Sequence, residues 1–107
     1  MRVITGSARG RKLTAPEGLD TRPTSDMAKE AMFSIVQFEV AGARVLDLFA
    51  GSGQIGIEAL SRGASGAVFV DSSKAARDAI FLNLKSTGFE DRSTLVFAEA
   101  ESYLKSC

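Results

Sequence analysis

The 107-residue sequence predicts an α/β fold in which a parallel sheet is covered by helices on both faces. Three short apolar runs, Val45 to Phe49, Ala67 to Val70 and Thr94 to Ala98, are rich in β-branched or aromatic residues and too short for helices. The segments between them, at 54–62 and 73–87, carry helical spacing, as in Ala76, Ile80 and Leu84. Gly63 and Gly88 stand where C-terminal caps belong. Strand, helix, strand, helix, strand implies right-handed crossovers between parallel neighbours.

The residues ahead of this unit are organised differently. Arg2 to Ile4 and Arg11 to Thr14 read as two extended runs joined by the turn Gly6-Ser7-Ala8-Arg9-Gly10, a β-hairpin with a basic tip. Pro16, Gly18 and Pro23 punctuate an irregular linker. Thr24 and Ser25 offer N-cap oxygens to a helix over 25–38, in which Ala28, Met32, Ile35 and Val36 share a face and Asp26 and Glu30 favour the first turn. Residues 1–23 are thus a basic hairpin with its linker, and 24–107 a single α/β unit.

Composition removes several classes of function. With no His and a single Cys at position 107, the chain lacks the commonest metal ligand and general base and cannot form an internal disulfide. No metal site is expected. No apolar run reaches the roughly 18 residues of a membrane span, which leaves a cytoplasmic protein as the expectation. The 13 basic and 13 acidic residues balance overall, yet Arg2, Arg9, Arg11 and Lys12 stand in a first segment with no acid. A local basic arm of this kind can recruit phosphate by itself, although a solvated surface hairpin is the plainer reading of four charges.

The first strand runs into Asp47-Leu-Phe49-Ala50-Gly51-Ser52-Gly53-Gln-Ile-Gly56, a Gly-x-Gly-x-x-Gly spacing between a predicted strand and a predicted helix. Glycines at such a place allow a tight turn, close approach of a ligand to the backbone and close packing of helix on strand. Asp71 ends the second strand 20 residues after Gly51, where an acid can accept from both hydroxyls of a ribose. A nucleoside-containing cofactor is implied. Asp47 decides its kind, because a carboxylate four residues ahead of the first glycine repels a pyrophosphate and attracts the ammonium and sulfonium of S-adenosylmethionine. Glu99, ending the third strand, is placed to accept from an adenine amino group, and reads equally as an acid at a helix start. Tyr103, beside Leu104, reads as a packing residue.

Asp-Leu-Phe-Ala-Gly-Ser-Gly at 47–53, Gly-Ile-Glu-Ala-Leu-Ser-Arg-Gly-Ala at 56–64, Gly-Arg-Lys-Leu at 10–13 and Thr-Arg-Pro-Thr at 21–24 together resemble the bacterial 16S rRNA (guanine-N2) methyltransferase family. The resemblance runs from Met1 to about Leu104. It implies a Rossmann-like class I methyltransferase fold followed as far as the third strand, with Asp47, Phe49, Gly51 and Gly53 at the methionine end of the cofactor, Asp71 at the ribose and Glu99 at the adenine. It further implies that Arg2, Arg9, Arg11 and Lys12 hold phosphates of small-subunit rRNA, with Arg22 near the site entrance. Asp71 stands where Glu is frequent in the family and Glu99 where Asp is frequent, each a change of one methylene.

One family feature has no counterpart. An Asn or Asp followed by Pro-Pro orients the guanine amino group in such enzymes, and the prolines here are Pro16 and Pro23 alone. The chain is therefore expected to be the cofactor-binding half of a methyltransferase, without catalytic residues of its own, inactive in isolation and prone to self-association through an uncovered first strand. Two other readings are a NAD-type nucleotide module using Gly51, Gly53 and Gly56, which Asp47 opposes, and an RNA-binding adaptor without catalysis.

Overall fold

In the computed structural model, residues 2–15, 27–29, 31, 33, 40–48 and 50–106 are described. The α/β unit runs β1 (Arg44–Asp47), α1 (Gln54–Ser61), β2 (Gly66–Asp71), α2 (Lys74–Thr87), a 3₁₀ turn (Glu90–Arg92), β3 (Ser93–Phe97) and α3 (Ala100–Ser106). All strand pairs are parallel and the sheet order is β1-β2-β3. The three expected strands of the sheet and the two helices between them are present, with ends displaced by one or two residues. β1 stops at Asp47, yet Ala50 N–H still donates to Val70 O at 3.2 Å, so the chain stays against β2 as it turns away.

Register decides which side chains meet the helices. Val45 and Asp47 lie opposite Ala67 and Phe69, which lie opposite Ser93 and Leu95, and this face looks toward α1 and α2. Phe69 is fully buried there with Ile57, Leu60 and Ile80. A Cβ at Gly56 would drive into the Phe69 ring, so the third glycine of the spacing is what lets α1 rest on the sheet. The opposite face carries Leu46, which is 46% exposed, and the buried Val70.

Helix ends follow the sequence signals. Ser73 caps α2 by accepting from Ala76 N–H, and Gly88 closes it in the left-handed conformation with φ 76°. Residues 27–29, 31 and 33 are helical, as the pattern over 25–38 requires; the rest of that stretch, with the caps Thr24 and Ser25, lies outside the described residues.

The N-terminal hairpin differs from the expectation of two paired strands. Arg2 and Lys12 form an isolated antiparallel bridge, Val3 N–H donates to Arg11 O at 3.0 Å and Gly10 N–H to Val3 O at 2.9 Å, and no longer ladder forms. The reason is competition for amides. Ile4 and Thr5 N–H donate to the two oxygens of Glu58 at 2.8 and 3.1 Å, Ser7 N–H to Ser61 O at 2.9 Å and Ala8 N–H to Ser61 Oγ at 3.0 Å. Ser61 Oγ in turn donates to Thr5 O at 2.6 Å. The arm is thus bonded along α1, with Val3, Ala8 and Leu13 buried in the same core.

Glu58 is fully buried and carries further load: Arg62 Nε donates to it at 2.9 Å and the equally buried Lys29 Nζ lies at 3.7 Å. Lys29 Nζ also donates to Arg2 O at 2.6 Å. Glu58→Gln keeps the shape but removes a buried negative charge that faces both Lys29 and Arg62, which costs about 3 kcal/mol or more. The expected result is a lower melting midpoint together with faster proteolytic cleavage in the arm; an unchanged midpoint would show that Lys29 finds its balance elsewhere.

Candidate cofactor site at the strand carboxyl ends

The turn that follows β1 is shaped by its glycines. Gly51 and Gly53 adopt φ of 58° and 79°, a region costly for side chains bearing a Cβ. A Cβ at Gly53 would crowd Ile80 and Phe69 at 3.3 and 3.4 Å, whereas at Gly51 it would meet open space. Gly53 therefore faces the core, and Gly51 faces the side from which a ligand can approach the backbone.

Asp71 takes up the turn from the neighbouring strand. Its Oδ2 accepts from Gly51 N–H at 3.0 Å and its Oδ1 from Ser73 N–H at 2.9 Å, joining the loop after β1 to the loop after β2. A carboxylate has about four acceptor positions, so two remain for hydroxyl donors. Asp71 also lines an open cleft of about 340 Å³ with Leu48, Ser72, Glu99, Ala100 and Glu101. Asp71 and the exposed Glu99 thus stand at one cleft, at the ends of adjacent strands.

Asp47 is in a different state. Gly56 N–H bonds its carboxyl group, but Oδ2 is buried with no hydrogen-bond partner among the described residues. Burial raises its pKa above the ordinary 3.8; the Gly56 bond opposes this, and the nearby Asp71 charge adds to it. The site holds a buried acceptor that lacks a donor. A cation satisfies it and a phosphate does not.

The remaining expected positions divide. Ala50 and Ser52 are buried in the turn, Ala50 packed in the core, and Phe49 lies outside the described residues. Arg2, Arg9, Arg11 and Lys12 are all exposed, and Arg22 lies outside the described residues. The hairpin tip sits by Ser61 at the end of α1 while the glycine turn opens that helix. At 1.5 Å per residue the two are on the order of 10 Å apart along its axis. The basic tip is therefore beside the α1 terminus and away from the cleft. Among the described residues no cluster of acids, His or Cys could hold a metal, and no helix is long and apolar enough to cross a membrane.

Asn83 was not singled out by sequence, although it is a polar residue within the apolar α2 stripe of Ala76, Ala79, Ile80 and Leu84. It is 1% exposed. Its Oδ1 accepts from Thr14 N–H at 2.6 Å, and its Nδ2 donates to Thr14 O at 2.9 Å and to Ser52 O at 2.8 Å. Glu58 and Ser61 give the same signal in α1.

Parallel strands in this order, a glycine turn opening the first helix and acids at the ends of all three strands define a Rossmann-like fold of the class I methyltransferase kind. The chain belongs to the family described as "Conserved hypothetical protein 95", whose model matches residues 1–107. It is 45% identical over 104 residues to "Putative rRNA methyltransferase YlbH" of Bacillus subtilis (strain 168), covering 97% of this chain and 56% of that protein. It is 38% identical over 104 residues to "Ribosomal RNA small subunit methyltransferase D" of Escherichia coli (strain K12), covering 97% and 52%. The solved structure described as "Putative methyltransferase yhhF from Escherichia coli" superposes with a TM-score of 0.86 at 36% identity, over 97% of this chain and 55% of that one. The chain spans about half the length of the curated relatives it matches.

The Asp47 environment has a consequence for stability. Because the folded-state pKa is raised, the folded chain binds this proton more tightly than the unfolded chain does. The resulting stability is complete below the unfolded value and is lost as pH rises through the folded one. Asp47→Asn, which keeps an acceptor for Gly56 N–H, is expected to be more stable than the parent at pH 7 and to converge on it below pH 3.8. Thermal melts across that range measure it. A variant less stable than the parent at pH 7 would mean that Oδ2 already has a donor.

Proposed function

We propose that this chain binds S-adenosylmethionine at the carboxyl ends of β1, β2 and β3 and serves methylation of a guanine N2 in small-subunit rRNA. The observation that carries the cofactor reading is the buried, unpartnered Oδ2 of Asp47, an acceptor waiting for a positively charged donor. Asp47 would hold the ammonium end, the Gly51 and Gly53 turn would admit the methionine portion, Asp71 would use its two remaining acceptor positions on the ribose, and Glu99 would receive the adenine amino group. Bound S-adenosylmethionine supplies a methyl group already activated on a sulfonium. A NAD-type pyrophosphate at this turn would add negative charge beside an acid that already lacks compensation. The rRNA substrate is supported by the names of the relatives, and guanine N2 by the sequence resemblance. The 107 residues contain no Asn or Asp followed by Pro-Pro, so orientation of the amino group is assigned to none of them. Arg9, Arg11 and Lys12 would contribute phosphate contacts at the arm.

Two measurements test this. Calorimetric titration should show S-adenosylmethionine binding, weakened about tenfold or more by Asp47→Asn, as expected when a charged hydrogen bond becomes neutral; equal affinity for both proteins would remove Asp47 from the site. Charge reversal at Arg9, Arg11 and Lys12 should lower affinity for a small-subunit rRNA fragment and flatten its dependence on salt, with cofactor affinity unchanged. An unaltered slope of log affinity against log salt would leave the arm as a solvated surface.

A further inference from the structure

We infer that Asn83 is a positioning residue that couples the seating of the basic arm to the geometry of the glycine turn, so that RNA on the arm and cofactor at the turn strengthen each other's binding. The identity of the two ligands rests on the function proposed above; the coupling itself does not. A carboxamide is planar and has two N–H donors, and here one goes to the arm at Thr14 O and the other to the turn at Ser52 O. Its oxygen accepts Thr14 N–H, so both backbone groups of Thr14 are committed to this one side chain. Neither partner can shift without dragging the amide or leaving a buried polar group unpaired.

Ser52 is the residue between the two left-handed glycines. Gly51 N–H is fixed by Asp71, and Gly53 N–H closes on Ala50 O at 2.7 Å. Asn83 thus supports from α2 the turn that Asp71 holds from β2. Thr14 follows the exposed Arg11 and Lys12 by two or three residues, so phosphate held there restrains the strand that ends on Asn83. An arm restrained by RNA orders the turn before cofactor arrives, which reduces the ordering the cofactor must supply. By linkage the cofactor tightens RNA by the same factor.

The test uses amide hydrogen exchange on the ligand-free full chain, followed by binding. Asn83→Asp keeps the acceptor for Thr14 N–H and removes both donors. Thr14→Pro removes the arm donor while leaving α2 and the turn unaltered in sequence. Both are expected to speed exchange at Gly53 as well as at Val3 and Gly10 by about fivefold or more, with the β2 and β3 ladder unaffected. Should Asn83→Asp fail to fold, Thr14→Pro decides alone: acceleration confined to the arm, or spread evenly over the sheet, overturns the coupling. In the parent chain S-adenosylmethionine should bind several-fold tighter in the presence of a small-subunit rRNA fragment, and this ratio should fall to about one in Thr14→Pro. A ratio unchanged by the variant also overturns the inference, because a merely structural role would weaken each ligand and leave their ratio intact. A parent chain that binds neither ligand, yet shows the paired exchange response, would remove the proposed function and leave the coupling standing.

Discussion

Glu58 is a carboxylate without access to water, and the N-terminal part of the molecule is arranged around the need to satisfy it. Two arm amides, the Arg62 guanidinium and the Lys29 ammonium converge on its two oxygens. A buried charge is tolerated only when paired and fully bonded, so burying Glu58 requires the arm and the helical residues around Lys29 to be in place together. Arg62 extends the arrangement by stacking on Phe33, its guanidinium carbon 4.6 Å from the ring centre. This explains why the arm bonds along α1 in place of forming a strand ladder with itself.

The two acids at the ends of β1 and β2 show how neighbouring carboxylates acquire different tasks. Asp71 spends its oxygens on Gly51 and Ser73 amides and thereby shapes the turn. Asp47, against the start of α1, has the Gly56 amide beside it and an Oδ2 with no hydrogen-bond partner among the described residues, so burial holds its pKa above the ordinary carboxylate range. One acid shapes the turn and the other is left as a buried acceptor without a donor among the described residues.

The basic residues belong to a third layer of organisation. They lie on a segment whose backbone is anchored to α1 by Glu58 and Ser61 and to α2 by Asn83, so its position is set by the two helices that also flank the glycine turn. In α1 the same eight residues close the turn at one end and hold the hairpin tip at the other.

Much of this was legible in the residues themselves. The order of strands and helices followed from apolar runs whose period and length admit one reading, and the glycine spacing with acids at strand ends marked the candidate site, because these signals are local. The hairpin brings Arg2 and Lys12 together but lacks the two strands its sequence predicts, since hydrogen-bond competition between an opposite strand and a buried Glu 54 residues away from Ile4 leaves no mark in local sequence. Glu58, Ser61 and Asn83 were visible only as polar interruptions of apolar helical stripes; what each holds depends on which segment the fold lays against it. Composition and periodicity thus determined by themselves the parallel α/β architecture and the candidate acids at the strand ends. Tertiary structure alone decided that Asp71 is spent on backbone amides, that Asp47 is left wanting a donor and that one amide joins arm to turn, because burial and long-range hydrogen bonds arise only when distant segments share a volume from which water is excluded.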